Sequence, residues 1–129
     1  MDQTNLNKRE ISLSHKDLIF LPLYIKDCTK LEILYCSFNN IKHFDRSDLP
    51  DSITYLSCDE NDISELDNLP PNIEELYCKN NYITHLDKLP PNIKIDEHNN
   101  NIWIETIIDA NSLADLILNN EPIPIKIGN

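Results

Sequence analysis

The strongest constraint on the fold is a pattern of residue types that occurs three times in register. Numbered from 1, the pattern has an apolar residue, a cysteine or an asparagine at positions 1, 4, 6, 9, 11 and 14. These positions are Leu31, Leu34, Cys36, Asn39, Ile41 and Phe44; Ile53, Leu56, Cys58, Asn61, Ile63 and Leu66; and Ile73, Leu76, Cys78, Asn81, Ile83 and Leu86. Repetition at this period predicts a solenoid, in which each coil packs mainly on its neighbours.

Each copy predicts one short strand and a turn. Apolar side chains at positions 4 and 6 flank an outward side chain at position 5, which is the period of two that a half-buried strand requires. The asparagine at position 9 suits a turn, because an amide both donates to and accepts from backbone groups that would otherwise stay unpaired. We therefore expect Asn39, Asn61 and Asn81 to form a ladder between neighbouring coils.

The consensus of the copies, LxxLxLxxNxIxxL, resembles the leucine-rich repeat over roughly residues 8–105. The segments 66–72 and 86–92 look like the short LPxLPxxL linkers of bacterial-type repeats. Secreted bacterial ubiquitin ligases and repeat proteins of giant DNA viruses of amoebae carry such repeats. Cysteine at position 6 and the many isoleucines and asparagines are more similar to the viral group, which implies a viral protein in the host cytoplasm. The resemblance to the ligases stops at the repeats, so their activity is not expected here.

The resemblance implies an α/β-type leucine-rich-repeat solenoid of about five coils. A short parallel β-sheet would form the concave face, and the convex side would be irregular or extended, since its prolines disfavour helix. We expect residues 1–30 to hold an N-terminal cap with a degenerate first repeat, 31–105 the repeats and 106–129 a C-terminal cap. A short helix starting at Asn111 or Ser112 is expected in the C-terminal cap.

The first and fifth copies are degenerate. The first consists of Ile11, Leu13, Leu18 and Leu21, with Lys16 at the asparagine position. The copies begin near Lys8, Leu31, Ile53, Ile73 and Ile93, and their lengths are 23, 22, 20 and 20 residues. The two extra residues before Ile53 fall in the segment FDRSDL, where an insertion should not disturb the strands.

The register of the fifth copy stays open at this point. Either Asp96 and His98 occupy positions 4 and 6, or one residue is deleted and Ile95 and Glu97 do. The ladder position is then taken by an asparagine, Asn100 or Asn101.

The cysteine column predicts buried, reduced thiols and no metal. Cys36, Cys58 and Cys78 share one inward position, and in one register of the fifth copy His98 joins them. Four residues on successive strands would span about 14 Å, whereas zinc ligands lie within about 2.3 Å of one point. Free cysteine is among the most buried residue types.

Charge excludes some partners. The formal net charge of −11 disfavours nucleic acid and anionic membrane surfaces, because both are bound by clustered Lys and Arg. No apolar run is long enough for a signal peptide or a membrane span, so a cytoplasmic protein is expected.

The candidate binding surface is the concave face, at the outward positions of the repeat. Tyr35, Tyr55 and Tyr77 with Phe38 and Ile33 would form an aromatic centre, and carboxylates would ring it. The predicted contact residues are Ile33, Tyr35, Phe38, Tyr55, Asp59, Glu60, Glu75, Tyr77 and Lys79. Aromatic side chains with a polar rim are typical of interfaces, although a sheet also favours Tyr through cross-strand packing. We expect a protein or peptide partner, preferably basic.

No catalytic residues, cofactor or metal are predicted. The four histidines, His15, His43, His85 and His98, have no convincing nucleophile beside them in sequence, and Gly128 is the single glycine, too few for a phosphate-binding loop. The alternative function is structural: the apolar C-terminal stretch after residue 101 could form a homodimer contact instead of a cap.

Overall fold

The repeats form a β-solenoid of about four turns around one parallel sheet. The computed structural model describes residues 6–45, 47–67, 69–86 and 89–100. Within them the sheet has five parallel strands in chain order. Their bounds are β1 Glu10–Ser12, β2 Ile33–Tyr35, β3 Tyr55–Ser57, β4 Glu75–Tyr77 and β5 Lys94–Asp96. A single sheet with one strand from each described coil is the architecture expected from the period of the pattern.

The strands are aligned through their central residues. Parallel pairing joins Ile11 to Leu34, Leu34 to Leu56, Leu56 to Leu76 and Leu76 to Ile95. The central side chains of β1 to β4 are buried, and that of β5 is half-buried. The residues on either side of each centre turn to the other face because strand side chains alternate. The period-two interpretation of the pattern is confirmed, including the first copy.

Differences in coil length are absorbed outside the strands. The extra residues between β2 and β3 lie in a closed turn, where the Asp48 amide donates to the Asp45 carbonyl over 3.0 Å. The Asp48 carboxylate accepts from the Asp45 amide over 2.7 Å in the same turn. The insertion therefore leaves the register of β2 and β3 intact, as expected.

The structure decides the register of the fifth coil. Ile95, and not Asp96, pairs with Leu76, which places Glu97 in line with Cys78. The alternative register, with Asp96 and His98 in the core, is therefore wrong. Its physical defect is that it would place Asp96 at the strand centre, which the apolar Ile95 fills in the observed register.

The asparagine ladder joins each coil to the one before it. The Asn61 side-chain oxygen accepts from the Ile41 amide over 3.0 Å. Its nitrogen donates to the Cys36 carbonyl of the preceding coil over 3.0 Å and to the Cys58 carbonyl of its own coil over 3.1 Å. Asn39, Asn81 and Asn100 make the equivalent bonds. The predicted ladder is confirmed, and Asn100 fills its place in the fifth coil.

The direction of these bonds explains why the first copy has Lys16 in place of asparagine. Each ladder asparagine reaches back to the preceding coil, and the first copy is the first coil of the sheet. Asn39 of the second coil instead binds the turn of the first coil. Its side-chain oxygen accepts hydrogen bonds from the Lys16 and Leu18 amides over 2.9 and 3.0 Å. In the described part of the chain no strand precedes β1, so an amide side chain at position 16 would have no earlier coil to bind.

The core is a stack of apolar columns under the sheet. Leu34, Leu56 and Leu76 are fully buried, and so are the cysteines of position 6. The cysteines are free thiols, as expected. Burial, assisted by the negative charge of Asp59, raises the pKa of Cys36 to about 12. These thiols therefore behave as small apolar groups at neutral pH.

A 3₁₀-helix covers Leu23–Asp27 in the first coil. Pro22 precedes it with φ −57°, a value that proline sets by itself. The helix buries Ile25 completely, and Cys28 directly after it is also fully buried. Both side chains therefore belong to the hydrophobic core. The predicted C-terminal cap at 106–129, with its short helix, lies outside the described residues.

Candidate binding surface

The open face of the sheet, the one expected to be concave, carries the side chains that flank each buried strand centre. From β1 to β5 these are Glu10 and Ser12, Ile33 and Tyr35, Tyr55 and Ser57, Glu75 and Tyr77, and Lys94 and Asp96. In the three central strands all six are half-buried. They are ordered by the sheet and still reachable from solvent.

Three tyrosine rings form a continuous row on this face, here called the tyrosine row: Tyr35, Tyr55 and Tyr77. The ring centroids of Tyr35 and Tyr55 are 5.6 Å apart at an interplanar angle of 58°. Those of Tyr55 and Tyr77 are 5.2 Å apart at 38°. Both tilted pairs lie in the range where aromatic rings attract one another. The structure thus brings together the three aromatic residues that the sequence analysis placed at the centre.

The row zigzags across the sheet, and each of its two ring contacts is diagonal. Tyr55 pairs in register with Ile33 and Glu75, whereas Tyr35 and Tyr77 both pair with Ser57. Because the small Ser57 stands between Tyr35 and Tyr77, the larger Tyr55 ring has room to contact both neighbours. Ile33 lies in the same file as Tyr55 and is half-buried beside the row.

Carboxylates stand at both ends of the tyrosine row. At the β4 end, the Tyr77 hydroxyl donates to Glu75 Oε1 over 3.2 Å. At the β1 end, burial raises the pKa of Tyr35, and the neighbouring Glu10 carboxylate raises it further. Burial is also the first cause of the raised pKa of Tyr55, followed by its tyrosine neighbours and by Glu75 and Asp59. The row therefore lies in a negative field.

Asp59 and Lys79 take part in hydrogen bonds between backbone amides and side-chain oxygens beside the open face. The Asp59 amide donates to Ser37 Oγ over 3.1 Å, and Asp59 Oδ1 accepts from the Lys79 amide over 2.6 Å. Burial raises the pKa of Asp59, while its bond from Lys79 acts in the opposite direction. Both residues were predicted as contact residues, and these hydrogen bonds give Asp59 a structural role as well.

Position 8 of every coil adopts a left-handed backbone. The residues are His15, Phe38, Glu60, Asn80 and Asn99, with φ between 56° and 60°. Asn80 and Asn99 are residue types that tolerate this conformation, and they were the signal in the sequence that could have predicted it. The repeat pattern by itself predicts an ordinary outward residue at position 8, and the turn is a finding of the structure.

The left-handed turn changes the expected surroundings of two predicted contact residues. Phe38 stacks on His15, with ring centroids 4.5 Å apart and planes at 10°, so its ring partner lies along the position-8 column. Glu60 accepts a hydrogen bond from the Asn80 side chain in the same column. Phe38 is half exposed, and it forms a separate aromatic pair with His15 next to the open face.

The remaining rim carboxylates differ in their surroundings. Glu32 is ion-paired with Arg9 over 3.1 Å, and both side chains are largely exposed. Glu74 is exposed. An exposed pair of this kind contributes little to stability. These residues therefore contribute mainly negative charge around the open face.

Within the described ranges, no group of three or more His, Cys, Asp or Glu side chains is placed to hold a metal ion. In the same part of the chain, no helix has the length and apolar character needed to cross a membrane. No protein-family model matches the chain, and a search of curated proteins finds no match either.

Proposed function

We propose that the chain is a leucine-rich-repeat protein that binds a protein or peptide through the open face of its sheet and has no catalytic role. The observation that carries this proposal is the tyrosine row, in which three half-exposed rings are held in mutual contact and bordered by carboxylates. Ordered tyrosine side chains supply large contact area at low entropic cost, which is why they are enriched at the centres of interfaces.

Assignment to the leucine-rich-repeat family is supported by the asparagine ladder and by the single strand in each coil. Each ladder asparagine binds carbonyl groups of two successive coils, which gives the repeated asparagine of the consensus a physical reason. The proposed viral origin and host-cytoplasm location rest on the composition of the repeats, in which cysteine occupies position 6.

A binding role fits the chemistry of the face better than catalysis does. The strongest potential nucleophiles of the repeats, Cys36, Cys58 and Cys78, are fully buried on the opposite side of the sheet. The pKa of Cys78 is raised to about 12, chiefly by burial, so its reactive thiolate is scarce near neutral pH. The open face instead presents phenols, carboxylates and hydroxyls in fixed positions.

The size of the face limits the partner. Five parallel strands at about 4.8 Å spacing give a sheet about 24 Å wide. A standard interface needs about 800 Å² from each partner, which such a face supplies only if it is used almost completely. A peptide or a projecting loop therefore fits better than a large flat surface.

The proposal is tested by affinity capture with matched tyrosine variants. Tyr55→Ser removes the central ring of the row, and Tyr82→Ser removes an exposed ring from the position-10 turn outside the strands. We expect a partner captured by the wild type to be lost with Tyr55→Ser and retained with Tyr82→Ser, while both variants keep a cooperative melting curve. Equal capture by the wild type and both variants would show that the open face is not the binding surface.

A second candidate function is self-association, and one observation favours it. Ile19, Phe20 and Leu23 in the first coil are 54%, 65% and 79% exposed, an unusual group of large apolar side chains on a surface. Light scattering on reduced protein over a range of concentrations separates the two candidates. A constant monomer mass supports the binding module, whereas a dimer that Phe20→Ser and Leu23→Ser abolish would support self-association.

A further inference from the structure

The open face already holds one cation of its own. Lys94 Nζ lies 3.5 Å from Glu75 Oε1, and the same carboxylate oxygen accepts the hydrogen bond from the Tyr77 hydroxyl. Tyr77 and Glu75 both raise the pKa of Lys94. At the β4–β5 end of the tyrosine row, one carboxylate oxygen therefore meets both a phenol hydroxyl and an ammonium group.

The β1–β2 end repeats this arrangement without the cation. Glu10 and Tyr35 are diagonal neighbours on the open face of β1 and β2, and burial and the Glu10 carboxylate raise the pKa of Tyr35. The residue opposite Glu10 on the next strand is Ile33, at the place that Lys94 has opposite Glu75. No described Lys or Arg forms an ion pair with Glu10, since the neighbouring Arg9 is paired with Glu32.

We propose that the partner supplies the missing cation as an arginine, whose guanidinium group stacks on the Tyr35 and Tyr55 rings and pairs with the Glu10 carboxylate. This inference rests on the proposed function and specifies the chemistry of its partner: an extended segment that presents at least one arginine to the β1–β2 end of the tyrosine row.

Arginine fits this end better than lysine. Its planar guanidinium stacks on aromatic rings and can meet a carboxylate with two parallel hydrogen bonds, and it is more weakly hydrated than ammonium. Cation attraction to an aromatic face operates within about 6 Å of the ring centre, and successive rings of the row are 5.6 and 5.2 Å apart. A guanidinium lying over Tyr35 is therefore near a second ring.

The charge of the whole chain favours the same partner. A formal net charge of −11 attracts a cationic segment at long range and raises its rate of encounter. General attraction alone cannot position it, and the test must separate the two effects.

The probe is a synthetic heptapeptide that alternates arginine and threonine, with citrulline in place of arginine in the control peptide. Citrulline keeps the planar shape and removes the charge. Binding is measured by titration calorimetry at physiological salt, and amide NMR shifts locate the peptide. Glu10→Gln removes the proposed carboxylate, and Glu65→Gln makes the same charge change at an exposed position outside the strands.

We expect the arginine peptide to bind the wild type, to shift the amides of β1 and β2, and to bind Glu10→Gln about tenfold more weakly. Glu65→Gln should bind it as the wild type does, and the citrulline peptide should bind at least tenfold more weakly. Lys94→Gln frees Glu75 and creates a second open end, so the affinity for the arginine peptide should rise several-fold. Lys42→Gln is the control, because it removes an exposed lysine elsewhere, and it should raise this affinity less.

Two results would overturn the inference. Equal weakening by Glu10→Gln and Glu65→Gln would mean general attraction to a negative protein, and equal binding of the citrulline peptide would mean that the guanidinium charge is not recognised. In either case the proposed function is judged separately, by whether a captured partner depends on Tyr55. Loss of that dependence as well would remove both proposals.

Discussion

At the scale of single residues, the ladder asparagines have the largest structural effect for their size. The Asn61 side chain accepts from the Ile41 amide and donates to the Cys36, Cys58 and Asp59 carbonyls. Asn61 is itself only 5% exposed. Water therefore has little access to these backbone groups, and the amide is their means of pairing.

Asn61→Ala should lower the free energy of unfolding by about 1 to 3 kcal/mol, because it leaves buried backbone groups unpaired. Urea unfolding measures the loss. Asn40→Ala is the matched control, since Asn40 is exposed in the same coil as Asn39, and it should stay within about 0.5 kcal/mol of the wild type. Equal effects of the two substitutions would contradict the structural role of the ladder.

At position 8 of the repeat, the residue type and the left-handed backbone conformation do not always match. Phe38 and Glu60 occupy a backbone conformation with φ 58° and 56°, which asparagine adopts more readily. Both side chains nevertheless make contacts along their column, Phe38 with His15 and Glu60 with Asn80. The turn is thus imposed by the coil, and the residues at position 8 conform to it.

At the scale of elements, the strands are fixed and the linkers vary. Coils of different length keep the same pairing of central residues, as Leu34 with Leu56 and Leu56 with Leu76. The reason is that pairing and the asparagine bonds lie on the strand and its following turn. The extra residues of the second coil form a separate turn closed by Asp45 and Asp48.

Deleting Ser47 and Asp48 should therefore leave the sheet intact, with a loss of stability of at most about 1 kcal/mol. The Cys36 and Cys58 amides, which donate to Ser57 and Tyr77 carbonyls, should keep their protection from hydrogen exchange.

The control for this prediction is the deletion of Asp59 and Glu60, which also removes two residues. It removes the Asp59 carbonyl that accepts from the Phe38 amide, and the Glu60 amide that donates to Lys79. We expect this variant to lose amide protection across the sheet. If the Ser47–Asp48 deletion did the same, the linkers would be as important to register as the strands.

At the scale of the whole molecule, one column of thiols runs through three successive coils. Each of the three cysteines is fully buried and has a raised pKa, that of Cys36 and Cys78 about 12 compared with an ordinary value of 9.0. A folded protein that holds these protons more tightly than the unfolded chain gains stability from them below pH 9. That contribution is lost as the pH rises from 9 towards 12.

The free energy of unfolding should therefore fall between pH 8 and pH 10, by up to about 1.4 kcal/mol per pH unit for each thiol above pH 9. Other groups titrate in this range, so the informative quantity is the difference between the wild type and Cys36→Val, both kept reduced. The variant should lose less stability than the wild type over the same interval in urea unfolding. Identical pH dependence in the two proteins would exclude the thiol as its source.

Much of this molecule follows from its sequence, because the determining interactions repeat at a short period. Alternation around Leu34, Leu56 and Leu76 assigns each neighbouring side chain to a face of the sheet, whatever the neighbouring coil contains. The buried cysteines and the outward tyrosines followed from the same rule, and the ladder asparagines followed from the unpaired backbone groups of a turn. The left-handed turn at position 8 was also encoded, in Asn80 and Asn99, but Phe38 and Glu60 at the equivalent positions concealed it.

Only the tertiary structure decided what depends on contacts between coils. Local alternation permits either Ile95 or Asp96 at the centre of β5, and pairing with Leu76 together with the Asn100 bonds selects Ile95. The diagonal contacts of Tyr55, which depend on the small Ser57 beside it, arise in the same way. So does the position of Lys94 at Glu75. A sequence pattern fixes which face a side chain takes, whereas its neighbours on that face are set by the register between coils, which exists only in the assembled sheet.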